Sequence, residues 1–192
     1  MTDQTHILNP NFQELIVLEG GFLHHEIAML RHGLKEDEFK KAEVSAPEKY
    51  DETLRKSKVM NLLDTDANTW IYDRLLDIAK AYNTQCFGFD ITGFRYNLQI
   101  ARYGVGDFFD WHLDFGAGEI SHRKISMTVQ LSNPDDYEGG DLEFMYGHEV
   151  YTVPRTLGTI VIFPSFILHR VTEITKGTRE SIVGWVAGPP YR

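Results

Sequence analysis

The second half of this 192-residue chain is a succession of short apolar segments, each of which ends at residues that favour turns. Seven such segments follow Gly93, at residues 94–103, 124–131, 141–145, 149–153, 158–163, 168–174 and 179–186. Turn-forming pairs separate several of them, at Asn133-Pro134, Gly139-Gly140, Gly147-His148 and Lys176-Gly177. Short strands at this spacing predict a β-sandwich or a rolled double sheet.

The first half of the chain has a different pattern of apolar residues. It predicts one or two helices that cover an outer face of those sheets. A short strand is expected over 12–18, and a helix over 22–34, where apolar residues recur at roughly helical spacing. Residues 36–58 are rich in charge and contain Pro47, which indicates an irregular surface loop.

The clearest helix in the sequence is expected over 65–81. Thr65 or Asp66 can cap its first turn. An apolar stripe then follows at i, i+4, i+7 and i+11, formed by Ile71, Leu75, Ile78 and Tyr82. This stripe predicts packing against a core, and we assign the helix no chemistry.

No repeat or linker divides the chain, so we expect one domain over 1–192. Within it, residues 1–92 form an N-terminal support region of helix and strand, and residues 93–192 form the β-rich core. The hydrophobic share of 42% and the charged share of 24% are ordinary for a globular protein, which argues against a disordered or fibrous class.

The charge, the cysteine content and the apolar runs indicate which partners and which location to expect. A formal net charge of -9 disfavours nucleic acid, because it would repel a phosphate backbone. The single cysteine, Cys86, cannot form an internal disulfide, which favours a reducing compartment. Residues 1–10 lack the pattern of a signal peptide, and no run of about 18 apolar residues suits a membrane span. We therefore expect a cytoplasmic protein.

A His-x-Asp pair, His112 and Asp114, is predicted at the end of a strand, where residues two apart point the same way. The pair alone is weak evidence for a metal site. His169, however, follows a later apolar strand and completes a set of two histidines and one carboxylate. Such a set suits iron(II) and leaves coordination sites open. A structural zinc site would use a fourth protein ligand, commonly cysteine.

Arg179 lies ten residues beyond His169 and opens the last apolar strand. Its planar guanidinium is suited to bind a carboxylate through two parallel hydrogen bonds. If that strand pairs near His169, the side chain points into the same cavity as the metal ligands. The alternative is an exposed arginine on an edge strand.

Four blocks of sequence carry a resemblance to a known family. They are YGVGDFFDWHLD at 103–114, NPDDYEGGDL at 133–142, FPSFILHRV at 163–171 and KGTR at 176–179. In this order and spacing, from about residue 94 to 185, they resemble the prolyl 4-hydroxylase type of iron(II)/2-oxoglutarate dioxygenase. The nearest group is the bacterial PKHD-type hydroxylases, to which the RKSK stretch at 55–58 is also weakly similar.

The resemblance implies a fold and a set of site residues. The fold is a double-stranded β-helix, or jelly roll, with the metal at the mouth of the barrel. Iron(II) would be bound by His112, Asp114 and His169, and the distal carboxylate of 2-oxoglutarate by Arg179. The remaining 2-oxoglutarate contacts are implied for Tyr103, Gln130 and Leu142.

The sequence departs from the family's pattern at two positions. Gln130 stands where the family often has an inward-facing tyrosine, and Val183 stands where some relatives have a threonine. Aromatic residues around the His-x-Asp pair, Phe109, Trp111 and Phe115, form either a substrate wall or part of the core.

The implied reaction is hydroxylation of a substrate carbon with O2 and 2-oxoglutarate, releasing succinate and CO2, with ascorbate among the implied cofactors. The implied substrate is a prolyl residue in a protein or peptide, and a free amino acid or other small molecule is the alternative. A cupin-like metal enzyme of another reaction class and a non-catalytic jelly-roll binding module are further alternatives. The first would have no need of Arg179, and the second no need of three metal ligands.

Overall fold

The structure, a computed structural model, describes residues 9–43 and 51–191. Within these ranges the chain forms two α-helices, α1 (His24–His32) and α2 (Thr69–Tyr82), and one short π-helix (Asn83–Phe87). Three 3-10 helices lie at Glu36–Glu38, Gly118–His122 and Pro134–Asp136. The fifteen strands are β1 (Ile16–Leu18), β2 (Lys40–Lys41), β3 (Arg55–Lys56), β4 (Lys58–Leu62), β5 (Gly93–Phe94), β6 (Leu98–Tyr103), β7 (Phe108–His112), β8 (Arg123–Gln130), β9 (Tyr137–Gly139), β10 (Leu142–Tyr146), β11 (Glu149–Thr152), β12 (Ile160–Pro164), β13 (His169–Val171), β14 (Ile174–Gly177) and β15 (Arg179–Ala187).

Two sheets form the body of the fold. The major sheet has the order β1-β12-β8-β15-β6-β4-β2, with β5 pairing to β15, and the minor sheet has the order β11-β10-β13-β7-β3. Strands β14 and β9 form a separate pair. Every strand pairing in the described residues is antiparallel, as expected for a jelly roll. The predicted double-stranded β-helix is therefore confirmed.

The alternation of β8 positions its side chains on two different faces of the major sheet. Ile125, Met127 and Val129 belong to the cluster that also contains the buried residues of α1 and α2. Because successive side chains of a strand point to opposite faces, Ser126 and Thr128 face the minor sheet instead. The helices thus cover the outer face, and the polar residues of β8 face the interior between the sheets.

The charged stretch 36–58 differs from the predicted loop. Strands β2, β3 and the start of β4 lie within it, and its residues 44–50 fall outside the described residues. β2 is the edge strand of the major sheet and exposes Lys40 and Lys41, so it has no apolar alternation for a sequence pattern to detect.

Four other predictions needed correction. The strand expected over 94–103 is divided between β5 and β6. The helix expected over 65–81 begins at Thr69, where Asn68 occupies the N-cap without a side-chain hydrogen bond, so the expected cap by Thr65 or Asp66 is wrong. The main-chain carbonyl of Thr65 instead accepts from the N–H groups of Asn68 and Thr69. The strand expected over 168–174 is divided between β13 and β14, which belong to different sheets. The strand expected over 12–18 is limited to β1.

The N-terminal half contributes directly to both sheets. β4 pairs with β6 along its length, β3 pairs with β7, and β1 pairs with β12. The division into a support region and a core therefore stays a proposal. Neither α-helix in the described ranges has the length and apolar character needed to cross a membrane.

Candidate active site

Three potential metal ligands converge at one end of the barrel. One ligand atom from each of His112, Asp114 and His169 lies within 4.8 Å of the others. His112 ends β7 and His169 begins β13, and the two residues face each other in the register of these paired strands. Asp114 lies just beyond β7, where its main-chain N–H donates to the carbonyl of Ser165 at 3.0 Å.

Main-chain carbonyls orient both imidazoles. Nδ1 of His112 lies 2.7 Å from the carbonyl oxygen of Asp110, and Nδ1 of His169 lies 2.9 Å from that of Ile167. A carbonyl can only accept, so each Nδ1 carries the proton and each Nε2 presents a lone pair. The Nε2 atoms of His112 and His169 lie 3.8 Å and 3.6 Å from the carboxylate oxygens of Asp114.

Buried polar groups also orient the carboxylate of Asp114. The hydroxyl of Ser126 donates to Oδ2 at 2.7 Å, and this hydroxyl lies 3.0 Å from that of Ser165. Nη1 of Arg123 is 3.9 Å from Oδ1 and donates to the main-chain carbonyl of Asp114 at 3.3 Å. The ligand is therefore held in place before any metal binds.

The protonation states suit a cation. Burial and the like charge of His169 lower the pKa of His112 to about 3. Burial would raise the pKa of Asp114, but the positive charges of His169 and His112 outweigh it and lower this pKa to about 2. At neutral pH His112 is thus a neutral imidazole and Asp114 an anion, as metal binding requires.

This donor set fits iron(II). Two neutral imidazoles and one carboxylate with open positions are the 2-His-1-carboxylate arrangement of non-haem iron oxygenases. Within the described ranges, the group of His, Cys, Asp and Glu side chains at this position has only these three members. A closed structural zinc site would need a fourth.

A small cavity connects these three ligands with Arg179. It has a volume of about 50 Å³, and apolar walls from Phe163 and Leu142 lie between its two ends. The guanidinium of Arg179 is buried, and its one hydrogen-bond partner among the described residues is the Ser181 hydroxyl at 3.4 Å. No carboxylate in the described part of the chain forms an ion pair with it. Since a buried, unpaired charge is costly, this end of the cavity is suited to an anion.

The turn before β10 approaches Arg179 closely. Gly140 has a φ of +64°, and a Cβ atom there would lie 3.1 Å from Cδ of Arg179 and 2.3 Å from Cδ1 of Ile174. Because glycine has no Cβ atom, the aliphatic part of the Arg179 side chain can pack close to the main chain at this position.

The predicted 2-oxoglutarate contacts fall in two places. Tyr103 and Leu142 line the cavity, and Tyr103 is paired with Arg179 across β6 and β15. Gln130 lines an adjoining cavity instead, which Arg179 and Leu142 also line, and its amide donates to the Tyr137 hydroxyl at 2.8 Å. Of β8, Met127 and Thr128 line the first cavity, and Thr128 is the polar one of the two.

Two of the three predicted substrate residues share a space. Phe109 lines the cavity and stacks on the ring of His112, with centroids 3.4 Å apart. Phe109 and Phe115 both line an open cleft of about 560 Å³, which His112 and Asp114 also line. Trp111 lines neither and lies beneath the guanidinium of Arg170, at 4.6 Å.

Sequence reasoning missed several residues of the site. Arg55 lines both the cavity and the cleft, although its strand was predicted to be loop. Ser126 contacts Asp114, and Trp185 lines both spaces. Two signals were available: the weak family similarity of residues 55–58, and the alternation of β8, which predicted a shared face for Ser126, Thr128 and Gln130 without indicating what that face contacts.

Known proteins are similar to this chain in sequence over part of its length. Residues 98–187 match the family described as the 2OG-Fe(II) oxygenase superfamily. A PKHD-type hydroxylase of Synechococcus sp. (strain CC9902) is 36% identical over 91 residues, which are 47% of this chain and 41% of that protein. A PKHD-type hydroxylase of Prochlorococcus marinus is 32% identical over 133 residues, 68% of this chain and 60% of that protein. The chain thus spans about two fifths to three fifths of the length of these relatives.

Solved structures share the fold over most of the chain. A Pseudomonas putida prolyl-4-hydroxylase superposes with a TM-score of 0.74 at 20% identity, covering 92% of this chain and 93% of that one. A Trichoplax adhaerens prolyl hydroxylase in complex with a hypoxia inducible factor peptide fragment gives a TM-score of 0.73 at 18% identity, covering 94% and 85%.

These findings confirm the resemblance that the sequence motifs indicated. The chain resembles the iron(II)/2-oxoglutarate-dependent dioxygenases of the prolyl 4-hydroxylase type. Within that class, its sequence similarity is to the PKHD-type hydroxylases.

Proposed function

We propose that this chain is an iron(II)- and 2-oxoglutarate-dependent oxygenase that hydroxylates a carbon of its substrate and releases succinate and CO2. One observation carries the proposal: His112, Asp114 and His169 converge at one end of a cavity whose other end holds the buried, unpaired guanidinium of Arg179. This arrangement suits a metal and a bound dicarboxylate at the same time.

Each residue has a role in this proposal. Iron(II) and 2-oxoglutarate, when bound, supply the chemistry that activates O2 and oxidises a C–H bond. His112 and His169 present their Nε2 lone pairs, and Asp114 supplies the negative charge. Arg179 binds the distal carboxylate of 2-oxoglutarate, and the hydroxyl of Tyr103 is proposed to assist it.

The walls of the site exclude water from the reacting centre. Leu142, Phe163 and Val171 are buried between the two ends of the cavity. An apolar wall strengthens the attraction between Arg179 and an anion, because the local dielectric constant is low. Thr128 is the polar residue of β8 that lines this cavity, and we propose that it makes the contact that the family resemblance implied for Gln130.

A prolyl residue in a protein or peptide is the proposed substrate. The cleft of about 560 Å³ outside the metal ligands is open and shares Arg55 and Gln99 with a further groove of about 740 Å³. The cleft and the groove together offer room for an extended peptide. The prolyl hydroxylases among the structural neighbours, one of them solved with a peptide fragment, support the same choice.

The proposal also includes ascorbate as a cofactor and a cytoplasmic location. Ascorbate as a cofactor comes from the family resemblance alone. The cytoplasmic location is supported by Cys86, the single cysteine, which is buried and unpaired.

The proposal is tested by reconstituting the protein with iron(II) under anaerobic conditions and adding 2-oxoglutarate. We expect a visible charge-transfer band, followed on admission of O2 by succinate release that a peptide pool stimulates. A wild-type protein that binds iron(II) but forms no band would remove the co-substrate role. A band without succinate release by the peptide pool, but with release by a pool of free amino acids and other small molecules, would favour the small-molecule alternative; release by neither pool would favour the binding module.

A further inference from the structure

We infer that the substrate carries a carboxylate close to the carbon that is hydroxylated, and that Arg55 binds this carboxylate at the mouth of the site. The inference rests on the proposed function and adds the chemical class of the substrate to it. A free amino acid or a peptide with an acidic residue or free C-terminus could supply the group.

Arg55 is held rigidly beside the metal ligands. Its guanidinium carbon lies 4.5 Å above the ring of Phe109, and that ring stacks on the imidazole of His112 at 3.4 Å with an interplanar angle of 8°. Because the imidazole covers one face of Phe109, the guanidinium lies on the other. One aromatic ring therefore separates Arg55 from a metal ligand.

The guanidinium of Arg55 has no carboxylate partner among the described residues. Its Nε donates to the Ser57 hydroxyl at 2.9 Å, and its Nη1 donates to the main-chain carbonyl of Glu43 at 3.3 Å. These two contacts hold the side chain in place but do not neutralise its charge. Arg55 lines the inner cavity, the open cleft and the neighbouring groove, so it lies where all three meet.

A second cation lines the same cleft. Arg123 stacks on Trp185 at 3.7 Å, and its Nε is buried without a hydrogen-bond partner among the described residues. Its nearest carboxylate, that of Asp114, is 3.9 Å away and is committed to the metal in the proposed function. The cleft therefore has two guanidinium groups and, besides Asp114, one acidic side chain in its lining, Glu43.

The cleft lining does not share the strongly negative charge of the chain as a whole. The formal net charge of the chain is -9, whereas two guanidinium groups balance two carboxylates in the cleft, between aromatic walls. A guanidinium without a carboxylate partner attracts anions beside walls of low dielectric constant, and it matches the geometry of a carboxylate. Since only one ring separates Arg55 from His112, a carboxylate bound there would lie a few bonds from the carbon that faces the metal.

The experiment compares matched acid and amide substrates. Protein loaded with iron(II), 2-oxoglutarate and O2 is assayed for succinate release with the free L-amino acids and their amides, and with proline-containing hexapeptides. The peptides carry either Glu or Gln beside the proline and either a free or an amidated C-terminus. We expect kcat/KM of wild-type protein for the acid form to exceed that for its amide by about 10- to 100-fold.

Variants assign that preference to Arg55. Arg55→Gln should lower kcat/KM for the acid more than for the amide, until acid and amide are used about equally. Arg55→Lys, which keeps the charge but loses the planar fork, should show an intermediate preference. Lys80→Gln, on the exposed side of α2, removes the same charge far from the cleft and should leave the preference intact.

The outcomes separate this inference from the proposed function. Wild-type protein that forms the charge-transfer band but uses acid and amide equally, or hydroxylates no carboxylate-bearing compound, would overturn the inference alone. A preference that survives Arg55→Gln in a folded variant would also overturn it. Absence of the band in wild-type protein would instead count against the proposed function. The amino acid and peptide arms identify which source provides the carboxylate.

Discussion

His112 and His169 are directly paired in the antiparallel register of β7 and β13, and their ring centroids lie 4.1 Å apart. Main-chain pairing therefore positions two of the three proposed metal ligands. Asp114 has no such support, because it lies beyond the strand. It depends on the hydroxyl of Ser126 and on the main chain of Ser165.

We predict that Ser126→Ala weakens iron(II) binding by about 10- to 100-fold, a typical effect of removing a group that orients a ligand. Competition with a chromophoric chelator under anaerobic conditions measures this affinity. Thr84→Ala, which removes an exposed hydroxyl far from the site, serves as the control. Equal affinities in wild type and Ser126→Ala would mean that the Ser126 hydroxyl does not orient the carboxylate for metal binding.

Arg179→Ala should lower the affinity for 2-oxoglutarate by about 100-fold or more, because a charge-assisted bidentate contact is lost, and leave iron(II) binding largely intact. Anaerobic titration of the charge-transfer band with 2-oxoglutarate gives the affinity. Lys176→Ala removes an exposed charge three residues earlier and should have little effect. An unchanged 2-oxoglutarate affinity in Arg179→Ala would assign the distal carboxylate to another residue.

Gly140→Ala should destabilise the protein more than Gly147→Ala does. Both glycines have positive φ, +64° and +61°, so both substitutions carry the cost of a left-handed alanine, about 1–2 kcal/mol. Only at Gly140 would the new Cβ collide with Ile174 and approach Arg179, which adds about 1–3 kcal/mol. Urea unfolding measures the loss in free energy of unfolding for both variants. Equal losses would show that the side chains of Ile174 and Arg179 move away from the new Cβ atom at little cost.

Acidification should destabilise the metal-free protein from about pH 6.5 downward. The pKa of His112 is lowered from 6.5 to about 3, so between these values the unfolded chain binds a proton that the folded protein does not. The free energy of unfolding therefore falls as the pH falls, by about 2 kcal/mol between pH 7 and pH 5 from this residue. Asp114 adds to the same trend below its ordinary pKa of 3.8.

Urea unfolding at pH 7 and pH 5, with a chelator present, tests this pH dependence. His112→Gln should lose less stability on acidification than wild type does, whereas His32→Gln, at an exposed position of α1, should behave like wild type. The same loss in His112→Gln and wild type would mean that another group titrates.

Local patterns in the sequence predicted much of this protein. The apolar stripe of α2 and the turn-separated strands after Gly93 indicated a covering helix and a β-sandwich or rolled double sheet, because alternation and turn chemistry depend on neighbouring residues. The family resemblance carried by four sequence blocks implied the jelly roll, and three of those blocks contain the candidate residues His112, Asp114, His169 and Arg179. These features could be read without any knowledge of which strands pair.

Only the tertiary structure decided which other residues join them. The alternation of β8 placed Ser126, Thr128 and Gln130 on one face, but strand pairing put Ser126 at Asp114 and left Gln130 beside Tyr137. Arg55 reaches His112 through Phe109 because β3 pairs with β7. Such contacts join residues far apart in the chain, so they depend on the register of the sheets, which a local pattern does not encode.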